Sequence, residues 1–156
     1  MNDESARRIA LTAHAGQRDR FGEPLIEHVA RVAAAVPFDV RATAWLHDTV
    51  EHARVDVDDL QHRGLTTLEL EALGLLSRQP SESYELHALR IAHADGEAGR
   101  IARIVKLADL DDHIARGTAP PGAPPYRWAR RHIAVAQARE LTRWVSGETA
   151  PAARIT

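Results

Sequence analysis

The chain contains no cysteine, which excludes disulfides, thiolate zinc sites and cysteine nucleophiles. Aromatic residues are nearly as scarce, with three Trp, two Tyr and two Phe in 156 residues. Ala, Leu, Val and Ile must therefore fill the interior, which favours closely packed helices over a sheet. Long apolar runs and a signal-like N-terminus are absent, so a cytoplasmic location with no membrane partner is expected. Lysine is almost missing: of 20 basic residues only Lys106 is a lysine. The net charge of −2 exerts no global pull on nucleic acid, and no nucleic-acid partner is expected.

What is present suits a globular protein: 44% hydrophobic residues, 27% charged residues and nine histidines. A length of 156 residues predicts one domain able to bury a core without disulfides or structural metal. Helical spacing recurs throughout, and no strand alternation emerges. Asn2 or Asp3 caps a helix to about Gly16, and a polar loop follows to Pro24. A second helix runs from Leu25 to Val36, ended by Pro37, and a third starts at Asp39. Asp56 or Asp58, Thr66-Thr67 with Glu69, and Ser81 with Ser83 read as the next helix starts. A long helix spans Gly96 to Arg116. After a Pro-rich connection at 118–125, a last helix from about Tyr126 to Val145 is expected to bury Ile133, Ala134, Leu141 and Val145. The domain is thus predicted as 1–146, with 147–156 a flexible tail. The fold class is all-α.

The third helix carries Trp45-Leu46-His47-Asp48-Thr49-Val50-Glu51-His52. On a regular helix His47, Asp48, Glu51 and His52 share one arc of about 140°. Adjacent imidazole and carboxylate can supply two metal ligands, and Glu51 one turn on can act on an activated water. An amphipathic helix rich in His and acid is the alternative. His28 on the second helix would by itself more often be a packing or surface histidine than a ligand. On the long helix, Lys106, Asp109, Asp112, His113 and Arg116 form a narrow charged stripe between apolar flanks, which suits a cleft or a solvated ridge.

The order His28, His47-Asp48 and a distant Asp109 resembles the HD-domain metal-dependent phosphohydrolases. The phrases Ala13-His14-Ala15-Gly16-Gln17, Gly22-Glu23-Pro24, Val50-Glu51 and Val105-Lys106-Leu107-Ala108-Asp109 are similar to the branch containing the (p)ppGpp 3′-pyrophosphohydrolases. That resemblance implies a single-domain HD-type helical bundle and a divalent metal, Mn²⁺ above all, held by His28, His47, Asp48 and Asp109. It implies a hydrolase cleaving a phosphoester of a small nucleotide, with a (p)ppGpp-like guanosine polyphosphate the favoured substrate. Glu51 would be the general base or water orienter, and Lys106 would neutralise phosphate charge.

Three motifs depart from the branch. Its members have Glu-Asp where this chain has Glu51-His52, so His52 becomes the second catalytic candidate, an imidazole being able to act as a base. His113 replaces an amide that helps hold the nucleotide. Asp19 stands where an arginine packs on guanine, flanked by Arg18 and Arg20 as substitutes, and Leu25 replaces a tyrosine. The alternatives are a hydrolase of another nucleotide and a catalytically impaired metal- or nucleotide-binding protein. Arg127, Arg130, Arg131, Arg139 and Arg143 read as a solvated face of the last helix, whose apolar positions leave room for a homo-oligomer. His14 is expected to hydrogen-bond between the first helix and the loop; His62, His87, His93 and His132 are read as surface or packing residues.

Overall fold

Side-chain caps start four helices where the sequence places them. Asn2 Oδ1 accepts from Ser5 N–H at 2.8 Å, and Asp56 Oδ1 accepts from Asp58 N–H at 3.0 Å. Thr66 and Glu69 form a reciprocal capping box, and Ser83 Oγ accepts from Leu86 N–H at 3.2 Å. Each satisfies amides that a helix start leaves unpaired.

The protein, seen here as a computed structural model, is described over residues 1–52, 55–117 and 124–147. Its helices are α1 Asp3–Ala13, α2 Leu25–Ala35, α3 Arg41–Leu46, α4 Thr49–His52, α5 Val57–His62, α6 Thr67–Leu76, α7 Tyr84–His93, α8 Gly96–Ala115 and α9 Tyr126–Ser146, with a 3-10 turn at Phe38–Val40. Among the described residues the only β-type pairing is an isolated bridge between Arg18 and Pro24. The long α8 is the central element, packed against α2, α6, α7 and α9, while α1 lies against α3. Ile101, Ala102, Val105 and Leu110 of α8 meet Val29 and Val32 of α2, Leu73 of α6, Ile91 of α7 and Ile133 of α9 in the core. Alanines 6, 10, 33, 44, 72, 88, 102 and 129 are fully buried, and their small side chains let helix backbones approach closely without aromatic filler.

Two local expectations change. The third helix is not continuous: regular helix stops at Leu46, and His47 and Asp48 form a turn before α4. Thr49 Oγ donates to Leu46 O at 2.7 Å and His47 Nδ1 donates to Ala44 O at 2.7 Å. Side chains competing for helix carbonyls in this way loosen the ladder. The second change concerns α9, where Ile133 is buried but Leu141 and Val145 are exposed. A 21-residue helix is ~31 Å long, and residues 141–147 run past its packing on α7 and α8. The Pro-rich segment 118–123 and the tail 148–156 lie outside the described residues.

Candidate active site

One cavity of about 450 Å³ is lined by the α1–α2 loop, α2, the α3–α4 turn with α4, the end of α6 with Arg78, the start of α7, α8 and the start of α9. All ten residues singled out by sequence line it: Arg18, Arg20, His28, His47, Asp48, Glu51, His52, Lys106, Asp109 and His113.

The innermost group is His28, His47, Asp48 and Asp109. His28 Nε2 lies 3.3 Å from Asp109 Oδ1 and 4.0 Å from Asp48 Oδ2, and His47 Nε2 lies 3.4 Å from Asp48 Oδ1. Each imidazole is held from behind. His28 Nδ1 is 2.8 Å from Asp112 Oδ2, and Arg31 grips the same carboxylate through two nitrogens. His47 Nδ1 donates to the Ala44 carbonyl. Both Nε2 atoms are therefore turned inward, buried, and without a hydrogen-bond partner. Buried polar nitrogens are seldom left unpaired, and a back-bonded Nδ1 with a bare Nε2 is how a metal-ligating histidine is oriented.

The electrostatics ask for a cation at the same point. Burial disfavours a charged His28, yet the carboxylates of Asp109, then Asp112 and Asp48, outweigh it, raising its pKa to about 9. Burial pushes Asp109 up, but Lys106 first, then His113 and His28, hold it well below the ordinary carboxylate range. Asp48 is lowered against burial chiefly by His47. Potential ligand atoms of His28, His47 and Asp48 lie within 4.8 Å of one another, as do those of His28, Asp109 and His113. Each of these two groups, with His28 common to both, offers the mixed N/O donors that a divalent ion accepts. Asp112 went without a role in the sequence reading because orientation of His28 through space leaves no mark in sequence spacing. Asp112→Ala should weaken Mn²⁺ affinity by roughly 10–100-fold in a calorimetric titration; unchanged affinity would remove Asp112 from the positioning of His28.

Around this group the other residues sort by what holds them. Lys106 Nζ is 2.7 Å from Asp109 Oδ2 and stands 5.7 Å from the Tyr84 ring centroid. His113 Nε2 lies 3.1 Å from Asp109 Oδ1, and its ring stacks between His28 and Tyr126, with centroids at 4.8 and 4.7 Å. Glu51 Oε2 accepts from the Arg78 backbone N–H at 3.0 Å, with the Arg78 guanidinium 3.7 Å from Oε1. His52 is half exposed, its Nε2 3.9 Å from Asp48 Oδ1. Its carbonyl accepts from Gln17, whose own carbonyl oxygen faces His14 Nδ1 at 3.0 Å. His14 thus bridges α1 to the loop as expected, and the Gln17 link extends to α4.

Asp19 is the loop's scaffold. Its carboxylate accepts from Phe21 N–H at 2.8 Å and Glu23 N–H at 2.9 Å, while Gly22 takes the left-handed conformation at φ 81°. Arg116 clamps the loop to α8 through Glu23 at 2.6 Å and Asp19 at 3.5 Å. The turn carries Arg18, Arg20 and Phe21 to the cavity. Arg18 donates to Gly22 O, and the Arg20 guanidinium lies over Phe21 at 4.8 Å and near Tyr126 at 5.6 Å.

The α6–α7 wall is braced by Arg90, which donates to Leu75 O and Ser77 O at the end of α6 and pairs with Glu82 at 2.7 Å. His87, read from sequence as packing, is buried against Arg90 and Glu82 and lines the cavity. The Arg90 hydrogen bonds hold Glu82 at a pKa of about 2, and burial, then Lys106 and Arg90, lower His87 to about 4. For His87, the unfolded chain takes up its proton near pH ~6.5 while the folded protein resists until about 4. Stability therefore falls with pH across that window. The contribution of Glu82 is present above its unfolded pKa of ~4.3 and is lost as pH falls toward 2. Melting temperature should accordingly drop steadily from pH 6.5 downward, and His87→Gln should flatten the upper part of the curve by on the order of 2–3 kcal/mol. A slope unchanged in His87→Gln would show that this imidazole is not the group being titrated.

No family model and no curated protein matches the sequence. Among solved structures, the chain is similar to a metazoan ortholog of SpoT that hydrolyzes ppGpp and plays a role in starvation responses. The TM-score is 0.67 at 19% sequence identity, covering 94% of this chain and 96% of that one. The described residues include no helix long and apolar enough to cross a membrane. The chain has the all-α helical bundle fold expected from its helical spacing, and shares that fold with the SpoT ortholog.

Proposed function

We propose that the protein is a metal-dependent phosphohydrolase acting on a nucleotide, with a (p)ppGpp-like guanosine polyphosphate the favoured substrate. The observation that carries this reading is the pair of buried, unpartnered Nε2 atoms on His28 and His47, facing Asp48 and Asp109 inside a cation-rich cavity. Similarity to a protein that hydrolyzes ppGpp supports the choice of substrate.

His28, His47, Asp48 and Asp109 would hold the ion, Mn²⁺ by preference. When bound, such an ion supplies Lewis acidity to a phosphoryl oxygen and acidifies water. Glu51, at the rim of the same cavity, takes the proton from the attacking water or orients it. The Arg78 amide and guanidinium fix its carboxylate. Lys106 neutralises charge on the phosphoryl group, Arg18 and Arg20 face the nucleotide from the loop, and His113 with Tyr126 offers a flat surface to it. The domain is 1–146, and the exposed Leu141, Trp144 and Val145 of α9 leave room for a homo-oligomer.

A metal- or nucleotide-binding protein without turnover is the competing reading, favoured by His52, which is half exposed where related enzymes carry a second acid. A phosphate-release screen of Mn²⁺-loaded protein against (p)ppGpp, other nucleotides and small phosphoesters separates the two. Release from a nucleotide is expected; binding of nucleotides without release from any of them would establish the competing reading.

A further inference from the structure

Seven buried side chains have a nitrogen or oxygen without a hydrogen-bond partner among the described residues, and four of them line the cavity described above: His28, His47, Arg116 and Tyr84. The two histidines are accounted for by the metal reading, and Arg116 is paired through its terminal nitrogen. Tyr84 has no such explanation. It opens α7, its ring packs edge-on against Tyr126 at 5.8 Å and near His87 at 6.5 Å, and its hydroxyl is buried without a donor or acceptor. A phenylalanine would fill the same space without desolvating a hydroxyl, so packing alone does not call for tyrosine here.

The surroundings define what the hydroxyl suits. Lys106 Nζ stands 5.7 Å from the Tyr84 ring centroid, and Arg78 lines the same wall. Burial, opposed by Lys106 and Arg78, raises the Tyr84 pKa, so the phenol stays protonated and is a hydrogen-bond donor at neutral pH. A protonated phenol flanked by an ammonium and a guanidinium presents donors to an anion.

From this geometry we infer that Tyr84 is a substrate-binding residue whose hydroxyl donates to a phosphate oxygen of the ligand, next to Lys106. The inference rests on the phosphohydrolase reading above and adds a phosphate contact from α7, an element outside the helices that supply the metal ligands. Because a buried phenol left without an acceptor is costly, it disfavours apolar groups at that position and, with Lys106 beside it, favours ligands that place a phosphate over the α7–α8 wall.

The test is direct binding. Mn²⁺-loaded wild-type protein and Tyr84→Phe are titrated calorimetrically with inorganic phosphate and with pyrophosphate, and their metal stoichiometry and melting temperature are measured in parallel. The expected result is a loss of affinity for one or both anions of roughly 10–100-fold in Tyr84→Phe, the range for hydrogen bonds to charged groups. Metal content should be unchanged, and the melting temperature equal or higher because a desolvated hydroxyl has been removed. Anion affinity within about twofold of wild type would overturn the role of Tyr84 and leave the phosphohydrolase reading standing. Failure of the wild-type protein to bind either anion would overturn both. Weaker anion binding accompanied by loss of metal would refute direct contact, since the hydroxyl would then be supporting the metal ligands.

Discussion

His47→Ala combined with Asp48→Ala should abolish stoichiometric Mn²⁺ binding in a protein that still folds. The two side chains sit on the turn between α3 and α4, where they face the cavity and contribute little to the apolar core. Their removal takes one imidazole and one carboxylate from a four-ligand set, and leaves His28 and Asp109 with the His113 imidazole beside them. His113 is stacked between His28 and Tyr126 with its Nε2 already against Asp109, so this remainder is expected not to keep a stoichiometric ion through dialysis. Relief of the Asp48–Asp109 repulsion offsets part of the lost packing, so a helical circular dichroism spectrum close to wild type is expected. Metal analysis after dialysis reads the result. Retention of about one equivalent of Mn²⁺ would sink the ligand assignment, and with it the reading of the unpartnered Nε2 atoms.

The second large effect is expected from Glu51→Gln, which should keep its metal and lose activity by roughly 10²–10⁴-fold, the range contributed by a positioned general base. The substitution is informative because of how Glu51 is held. Its Oε2 accepts from Arg78 N–H, and the glutamine amide oxygen can accept the same bond, so the side chain keeps its place while losing its basicity. A fall in turnover with unchanged Mn²⁺ stoichiometry assigns proton transfer or water orientation to this carboxylate. Wild-type turnover by the variant would exclude Glu51 as the base and turn attention to His52, whose Nε2 is the other candidate at the rim.

The helices were legible in the sequence for a local reason. Asn2, Asp56, Thr66 and Ser83 cap helices by contacts within three residues, and such short-range chemistry leaves its pattern in the chain itself. The break at His47-Asp48 was not legible, because it comes from Thr49 and His47 bonding to carbonyls that a continuous helix would have used. Nor were the exposed Leu141 and Val145 foreseen, since an apolar position on a helix is buried only where a neighbour reaches it.

The candidate site divides along the same line. By itself the sequence determined which residues could ligate a metal, since His28, His47, Asp48 and Asp109 belong to motifs whose order and phrasing are visible along the chain. Only the tertiary structure decided how they are held. Asp112 with Arg31 orients His28 across 84 and 81 positions of sequence, Arg78 fixes Glu51 from 27 positions away, and Tyr84 meets Tyr126 from another helix. Asp19, in sequence a missing arginine, is in space the acceptor that shapes the loop carrying Arg18 and Arg20. The physical reason is common to all of them. A ligand's identity is a property of its own side chain, whereas its orientation, charge and burial depend on groups brought near it only when the helices pack.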